Sequence, residues 1–145
     1  MKIVVALCAL SVAIRPAYAQ GVQRDRWVEV GGNDKITAYV DRQSLRREGA
    51  RVKVWSKWVY TVAKETFDTP KKTYLSTKDF SIYRCDGRTY ATLQSIKYAS
   101  ADGSGEVVDT SSYPESKALF DEIAPETIGE SILEYVCRAT SARRR

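Results

Sequence analysis

The 145-residue chain contains no histidine, a single methionine, four prolines and three cysteines. Without imidazole there is no Ser/His/Asp or Cys/His nucleophile system and no His-containing zinc site. The side chain that ordinarily titrates near neutrality is missing as well. A Gly-rich phosphate cradle is also absent: Gly103-Ser104-Gly105 is short and leads toward a strand rather than a helix. Acid–base chemistry would have to rest on carboxylates, Lys or Tyr; the Tyr residues have no identifiable base, and the notable carboxylate pairs are Asp121 with Glu122 and Glu130 with Glu134. The first two are sequence neighbours that need not face each other. The second two lie on a predicted solvated helix face, where burial would not raise a pKa. The residues therefore predict no catalytic site, no metal and no cofactor. A small carboxylate-based enzyme and a purely structural envelope protein stand as alternatives to a binding protein.

Long hydrophobic runs are scarce too, with one exception at the start. Lys2 precedes the apolar run Ile3 to Ile14, and Ala17-Tyr18-Ala19 has the small-x-small form of a cleavage site. Residues 1–19 are thus predicted to be a secretory signal peptide, too short to span a bilayer, followed by one domain over 20–145 with no transmembrane segment. Leu7 before Cys8 makes a poor lipidation signal, so Cys8 leaves with the leader and the protein is exported, to the periplasm or beyond. Two cysteines then remain in an oxidising compartment, and Cys85 and Cys137 are expected to pair.

What is present is an ordinary globular composition, 43% hydrophobic and 28% charged. Trp27 to Val30 and Ile36 to Val40 read as strands around the turn Gly31-Gly32-Asn33-Asp34, and Asp41 to Gly49 as a polar, basic connection. Arg51 to Tyr60 is the longest strand candidate. Large apolar groups on both faces from Trp55 onward predict a bulge or cover on both sides. Residues 64–78 read as a loop. Trp27 and Trp55 are assigned to the core, while Trp58 is left open.

Cys85-Asp86-Gly87-Arg88 predicts a tight hairpin with Asp86 and Gly87 in a left-handed turn. In that register Tyr83 faces Tyr90 and Ser81 faces Thr92 on one side. Arg84–Thr89, Ile82–Ala91 and Phe80–Leu93 pair on the other. A second hairpin joins Ser95–Tyr98 to Glu106–Asp109, completing a meander of about six strands. The period then changes. Thr127-Ile128-Gly129-Glu130 has capping-box form, and Ile128, Ile132 and Val136 make an apolar stripe beside Leu133 and Cys137. A Cys85–Cys137 bridge would pin that helix to the face carrying Tyr83 and Tyr90. The other face, with Phe80, Ile82 and Leu93, needs cover from the curling sheet or from a second copy.

Charge is uneven. Residues 20–100 hold 16 Lys/Arg against 9 Asp/Glu, a net of +7, while residues 101–145 hold 5 against 9, a net of −4. Arg42, Arg46, Arg47 and Arg51 cluster around one loop and form a candidate binding surface for an acidic macromolecule, a protein or an envelope or matrix component. Export and the absence of any recognisable binding motif argue against nucleic acid.

The order of Trp27, Tyr39-Val40-Asp41, Ser44, Arg46, Val52-Lys53-Val54-Trp55, Cys85, Gly105-Glu106-Val107-Val108 and a helix with Cys137 resembles the bacterial surface-adhesin protein E family. The resemblance spans about Trp27 to Cys137. It implies an α+β fold: a bent six-stranded antiparallel sheet with a C-terminal helix tethered to one face by a disulfide, often as a homodimer. It also implies a non-catalytic, adhesin-like envelope protein. The family takes its name from an outer-membrane lipoprotein that binds host matrix and serum proteins. Only Cys85 and Cys137 match positions whose role carries over, and that role is structural.

Overall fold

The structure, a computed structural model, describes residues 26–141; the leader, Cys8 and the terminal arginines Arg143–Arg145 lie outside the described residues. Eight strands precede one helix: β1 (Trp27–Gly32), β2 (Ile36–Asp41), β3 (Arg46–Glu48), β4 (Arg51–Glu65), β5 (Thr73–Arg84), β6 (Thr89–Tyr98), β7 (Val107–Ser112), β8 (Asp121–Glu122) and α1 (Ile128–Ser141). The antiparallel meander β1-β2-β4-β5-β6-β7 forms the main sheet, with β3 added beside β4 and β8 beside β6. Register shifts in β1, β4, β6 and at the β6–β7 pairing bend and twist it.

Alternation gives the sheet two faces. On one, Ala38, Val40, Val52, Val54 and Tyr83 meet Ile132, Leu133 and Val136 of α1, each at most 3% exposed. These are the predicted stripe and the predicted face. The helix packs over β1, β2 and β4, and Cys137 is bonded to Cys85, with Cα atoms 5.8 Å apart. Closing 52 residues of chain stabilises the fold by about 4 kcal/mol on the chain-entropy estimate. Tyr83 and Tyr90 stack across β5 and β6 with ring centroids 6.0 Å apart.

Several local expectations are corrected. The loop assigned to 64–78 shrinks to 66–72, because β4 and β5 continue pairing through Lys64–Tyr74 and Glu65–Thr73. The connection after Asp41 contains β3, which folds back on β4 around Gly49 at φ 62°. At 85–88 the left-handed residue is Arg88 (φ 49°), not Gly87. Tertiary contacts hold it there: its carbonyl accepts the Ile123 N–H at 3.0 Å and its guanidinium pairs with Glu130. The register is as predicted from Arg84–Thr89 to Ser81–Thr92, but Phe80 then faces Gln94, and Leu93 is the extra residue of a bulge. From Trp55 onward, where a bulge or cover on both sides is expected, the register of β4 shifts between Val59 and Lys64.

The helix start differs in detail. Thr127 Oγ1 accepts the Glu130 N–H at 3.2 Å, while the Glu130 carboxylate accepts the N–H of Glu126 rather than that of Thr127. Only half of the reciprocal box forms. Trp58, not Trp27 or Trp55, is the tryptophan packed against the main core.

On the second face, Ile82 and Leu93 are 0% and 8% exposed within the single chain, and Phe80 is half-buried against Trp55 at 5.3 Å. The chain between β7 and β8 reaches this face. Glu115 meets Lys53 at 2.9 Å and Arg51 at 3.5 Å, and Phe120 lies 3.6 Å from the Arg84 guanidinium. β8 then returns to pair with Thr89 and Tyr90 of β6.

Candidate functional site

A row crosses the middle of the second face. Tyr39 on β2, Lys57 on β4, Lys78 on β5 and Ile96 on β6 are successive cross-strand partners. Side chains two residues away share that face, so Trp55 and Asp41 flank the row, and Trp27 sits opposite Asp41 on β1. All of these but Tyr39, together with Arg26, Tyr98 and the turn Asp102–Ser104, line a concavity of about 490 Å³. That volume is in the range of small-molecule sites, about 300–1,000 Å³.

Its rim is set by one buried charge. The Asp41 side chain is fully buried, and its Oδ2 accepts two bonds from Arg26, at 3.0 and 2.7 Å. Asp41 Oδ1 takes the Gln43 N–H, its carbonyl takes the Ser44 hydroxyl, and Ser44 Oγ accepts the Trp55 N–H at 2.9 Å. Asp41 and Ser44 thus build the turn that leaves β2 and lock it to β4. A buried carboxylate so fully bonded is a structural anchor.

The lysines are held differently. Lys57 Nζ lies 5.2 Å from the Trp27 ring centre and 4.8 Å from that of Tyr39. Lys78 Nζ lies 5.7 Å from the same Trp27 ring and 5.0 Å from Tyr98. Both ammonium groups therefore share one indole, as cation–π geometry allows. Their stems are gripped by the β6–β7 turn. Gly103, at φ +75°, approaches so closely that a Cβ there would stand 2.8 Å from Lys57 Cδ and 3.0 Å from Lys78 Cε. Ser76 Oγ accepts the Gly103 N–H at 3.1 Å and donates to the Ser100 carbonyl, which fixes the turn.

The four half-buried sheet lysines divide into two classes. Lys53 has Glu48 at 3.0 Å and Glu115 at 2.9 Å, and Lys97 has Asp109 at 2.6 Å. The hydrogen bonds that the two lysines donate to those carboxylates raise both lysine pKa values. Among the described residues Lys57 and Lys78 have no carboxylate within 4 Å. Lys57 donates to the Asp102 carbonyl at 3.4 Å; burial, followed by repulsion from Lys78, lowers its pKa against a smaller opposing pull from the Asp102 carboxylate. Such a site can accept an anion between two cations over an aromatic floor.

The predicted basic surface is not one surface. Arg46 and Arg47 are consecutive on β3 and point to opposite faces. Arg47 reaches the helix, donating to Thr140 Oγ1 at 2.9 Å, while Arg46 turns to the carbonyls of Gln43 and Leu45. Arg51 pairs with Glu115, and Arg42 is exposed. A wider depression of about 560 Å³ beside Ala50, Arg51, Arg84 and Thr89 has its cations engaged already, by Glu115 and Phe120. The carboxylate pairs are not assembled for catalysis either: Asp121 and Glu122 are exposed neighbours on β8, and Glu130 is bonded to Arg88 and the Glu126 N–H. Among the described residues no group of three or more Cys, Asp or Glu is placed to hold a metal ion.

Lys57 and Lys78 were not singled out from sequence, being 21 positions apart. The signal was there in Lys53-x-Trp55-x-Lys57, which alternates against Val52-x-Val54 and marks a second, polar–aromatic face.

Comparison with known proteins agrees with this architecture. No curated protein matches the chain significantly. Solved structures of Haemophilus influenzae protein E share the fold. One crystal form has a TM-score of 0.57 at 16% identity, covering 87% of this chain and 97% of that one. Protein E from a non-typeable strain has a TM-score of 0.54 at 15% identity, over 86% and 83%. The model of the family described as surface-adhesin protein E matches residues 27–138. The chain therefore belongs to the surface-adhesin protein E family, and is an exported, non-catalytic, adhesin-like protein.

Proposed function

We propose that the protein acts as a binding module that holds a negatively charged macromolecule on the face of its sheet opposite the helix. One observation carries this reading: Lys57 and Lys78 stand side by side, half-buried, without the carboxylates that accompany Lys53 and Lys97. Leaving two adjacent cations unmatched costs stability that an arriving anion would restore. The arginine loop supports the reading less well, because its members diverge and Arg47 serves the helix end. Self-association through Phe80, Ile82 and Leu93 has less surface available, since Ile82 and Leu93 are buried in one copy.

The test is retention of the protein on surfaces coated with polyaspartate or dextran sulfate, against uncharged dextran, over a salt series. Lys57→Gln/Lys78→Gln should lose retention at low salt and flatten the salt dependence, while Arg42→Gln/Arg46→Gln retains both. Equal loss in the two double variants would mean a diffuse charge effect and would end the proposal.

A further inference from the structure

The proposed lysine face also points to the chemical class of what it binds. Every backbone group at the centre of β2, β4 and β5 is committed to the sheet ladder. Extended peptides are commonly captured by free backbone at a sheet edge, and the strands that carry the two lysines are interior to the sheet. Recognition over the two lysines comes from side chains, in a volume of about 490 Å³. The side chains combine two kinds of surface. The ammonium groups of Lys57 and Lys78 converge over Trp27, Lys78 also lies 5.0 Å from the Tyr98 ring, and Trp55 and Ile96 add apolar and aromatic lining beside them. The Arg26 guanidinium and the Asp102–Ser104 turn supply polar groups at the rim. A compact ligand with one concentrated negative group and a body that is apolar on its faces and polar at its edge matches this division. A pyranose ring has that character, with C–H faces for aromatic rings and equatorial hydroxyls for polar rims.

We infer that the concavity binds a sugar ring carrying a carboxylate, sulfate or phosphate. The anionic substituent sits between Lys57 and Lys78, and the ring lies against Tyr98 and Trp55. This rests on the proposed function, since it uses the same two lysines, but it can fail separately.

Titration calorimetry and tryptophan fluorescence on the intact protein provide the test. The probes are a uronate disaccharide, a sulfated disaccharide, a sugar phosphate, the neutral parent disaccharide, inorganic sulfate and a short oligoglutamate. At least one charged sugar should bind about tenfold or more tighter than both the neutral sugar and inorganic sulfate, and which one does so identifies the substituent. Lys57→Gln/Lys78→Gln should abolish the preference for charge. Tyr98→Ala should weaken the charged sugar without changing inorganic sulfate. Circular dichroism and a thermal melt establish that each variant is folded, and Lys57→Arg/Lys78→Arg, which keeps both charges, should retain part of the binding if the site is intact. Inorganic sulfate bound as tightly as any sugar, or oligoglutamate bound more tightly, overturns the sugar assignment. If none of the probes binds but polyanion retention still depends on the two lysines, the sugar reading fails and the broader binding function stands.

Discussion

The two faces of the sheet are made from the same strands yet are closed in different ways. The helix face buries Val40, Val52, Val54, Ile132 and Val136 completely, and a disulfide closes it. The opposite face buries Ile82 and Leu93 at one end, where Lys53 and Arg51 are paired with Glu115, and leaves Lys57 and Lys78 unpaired at the other. Within that one face, the cations at one end are matched inside the chain. Those at the other end, Lys57 and Lys78, are where the proposed ligand would supply the match.

The largest expected effect belongs to the helix face. Cys137→Ser should lower stability by about 2–5 kcal/mol, the usual loss for a small secreted domain. Hydrogen exchange over 128–138 should rise before that of the sheet; equal protection in oxidised and reduced protein would show that the apolar stripe alone holds the helix. Binding through Lys57 and Lys78 should survive wherever the sheet does, and its loss in step with the helix would break the division between faces.

Gly103→Ala should act on both properties at once. A left-handed backbone that disfavours a Cβ costs about 1–2 kcal/mol, and the new methyl would displace the stems of Lys57 and Lys78. The variant should show a lowered melting temperature together with weakened anion binding. Normal binding after a clear loss of stability would mean that the turn does not position the lysines.

A smaller effect separates Lys57 from its paired counterparts by pH. Burial and Lys78 hold its pKa below the ordinary 10.5, so the unfolded chain keeps this proton more tightly than the folded one. That cost is fully present at neutral pH. It is relieved as pH rises from the lowered value toward 10.5, so this group makes stability increase with pH through that window. An anion at the site reverses the shift, and binding at alkaline pH should take up protons. Calorimetry in two buffers of different ionisation enthalpy measures it, and Lys57→Gln should remove the uptake.

The smallest effect is expected at Arg46, where Arg46→Glu should change the melting free energy by no more than about 0.5 kcal/mol and leave anion retention nearly unchanged. Arg47→Glu should differ, because it gives up the bond to Thr140 at the helix end. A matched pair of effects would restore the idea of one arginine surface.

Much of this contrast was legible in the sequence, and its gaps have physical causes. The stripe Ile128–Ile132–Val136, the Cys85–Cys137 pair and the pairing of Tyr83 with Tyr90 followed from periodicity, cysteine number and turn chemistry. The distal halves of β4 and β5 did not, because Lys64, Glu65 and Thr73 are exposed and held by ladder hydrogen bonds rather than by an apolar face. The bulge at Leu93 leaves no compositional mark. The arginines looked like a group because they are near in sequence, but a strand sends neighbours to opposite sides. Lys57 and Lys78 looked unrelated for the converse reason, since only the β4–β5 register makes them partners.

The route of the chain after β7 has a consequence for how copies behave at high concentration. β7 pairs β6 along Gln94–Tyr98, and β8 returns to pair Thr89 and Tyr90, so two separate short segments occupy the outer side of one strand. At the far margin β1 is interrupted by a bulge between Glu29 and Gly31, and Gly31 lies under Ser131 of the helix. Neither margin presents a long, flat row of free amides, the template on which strands of successive molecules stack into fibrils. A chain rich in β-structure can therefore accumulate outside the cytoplasm with its own borders arranged against polymerisation.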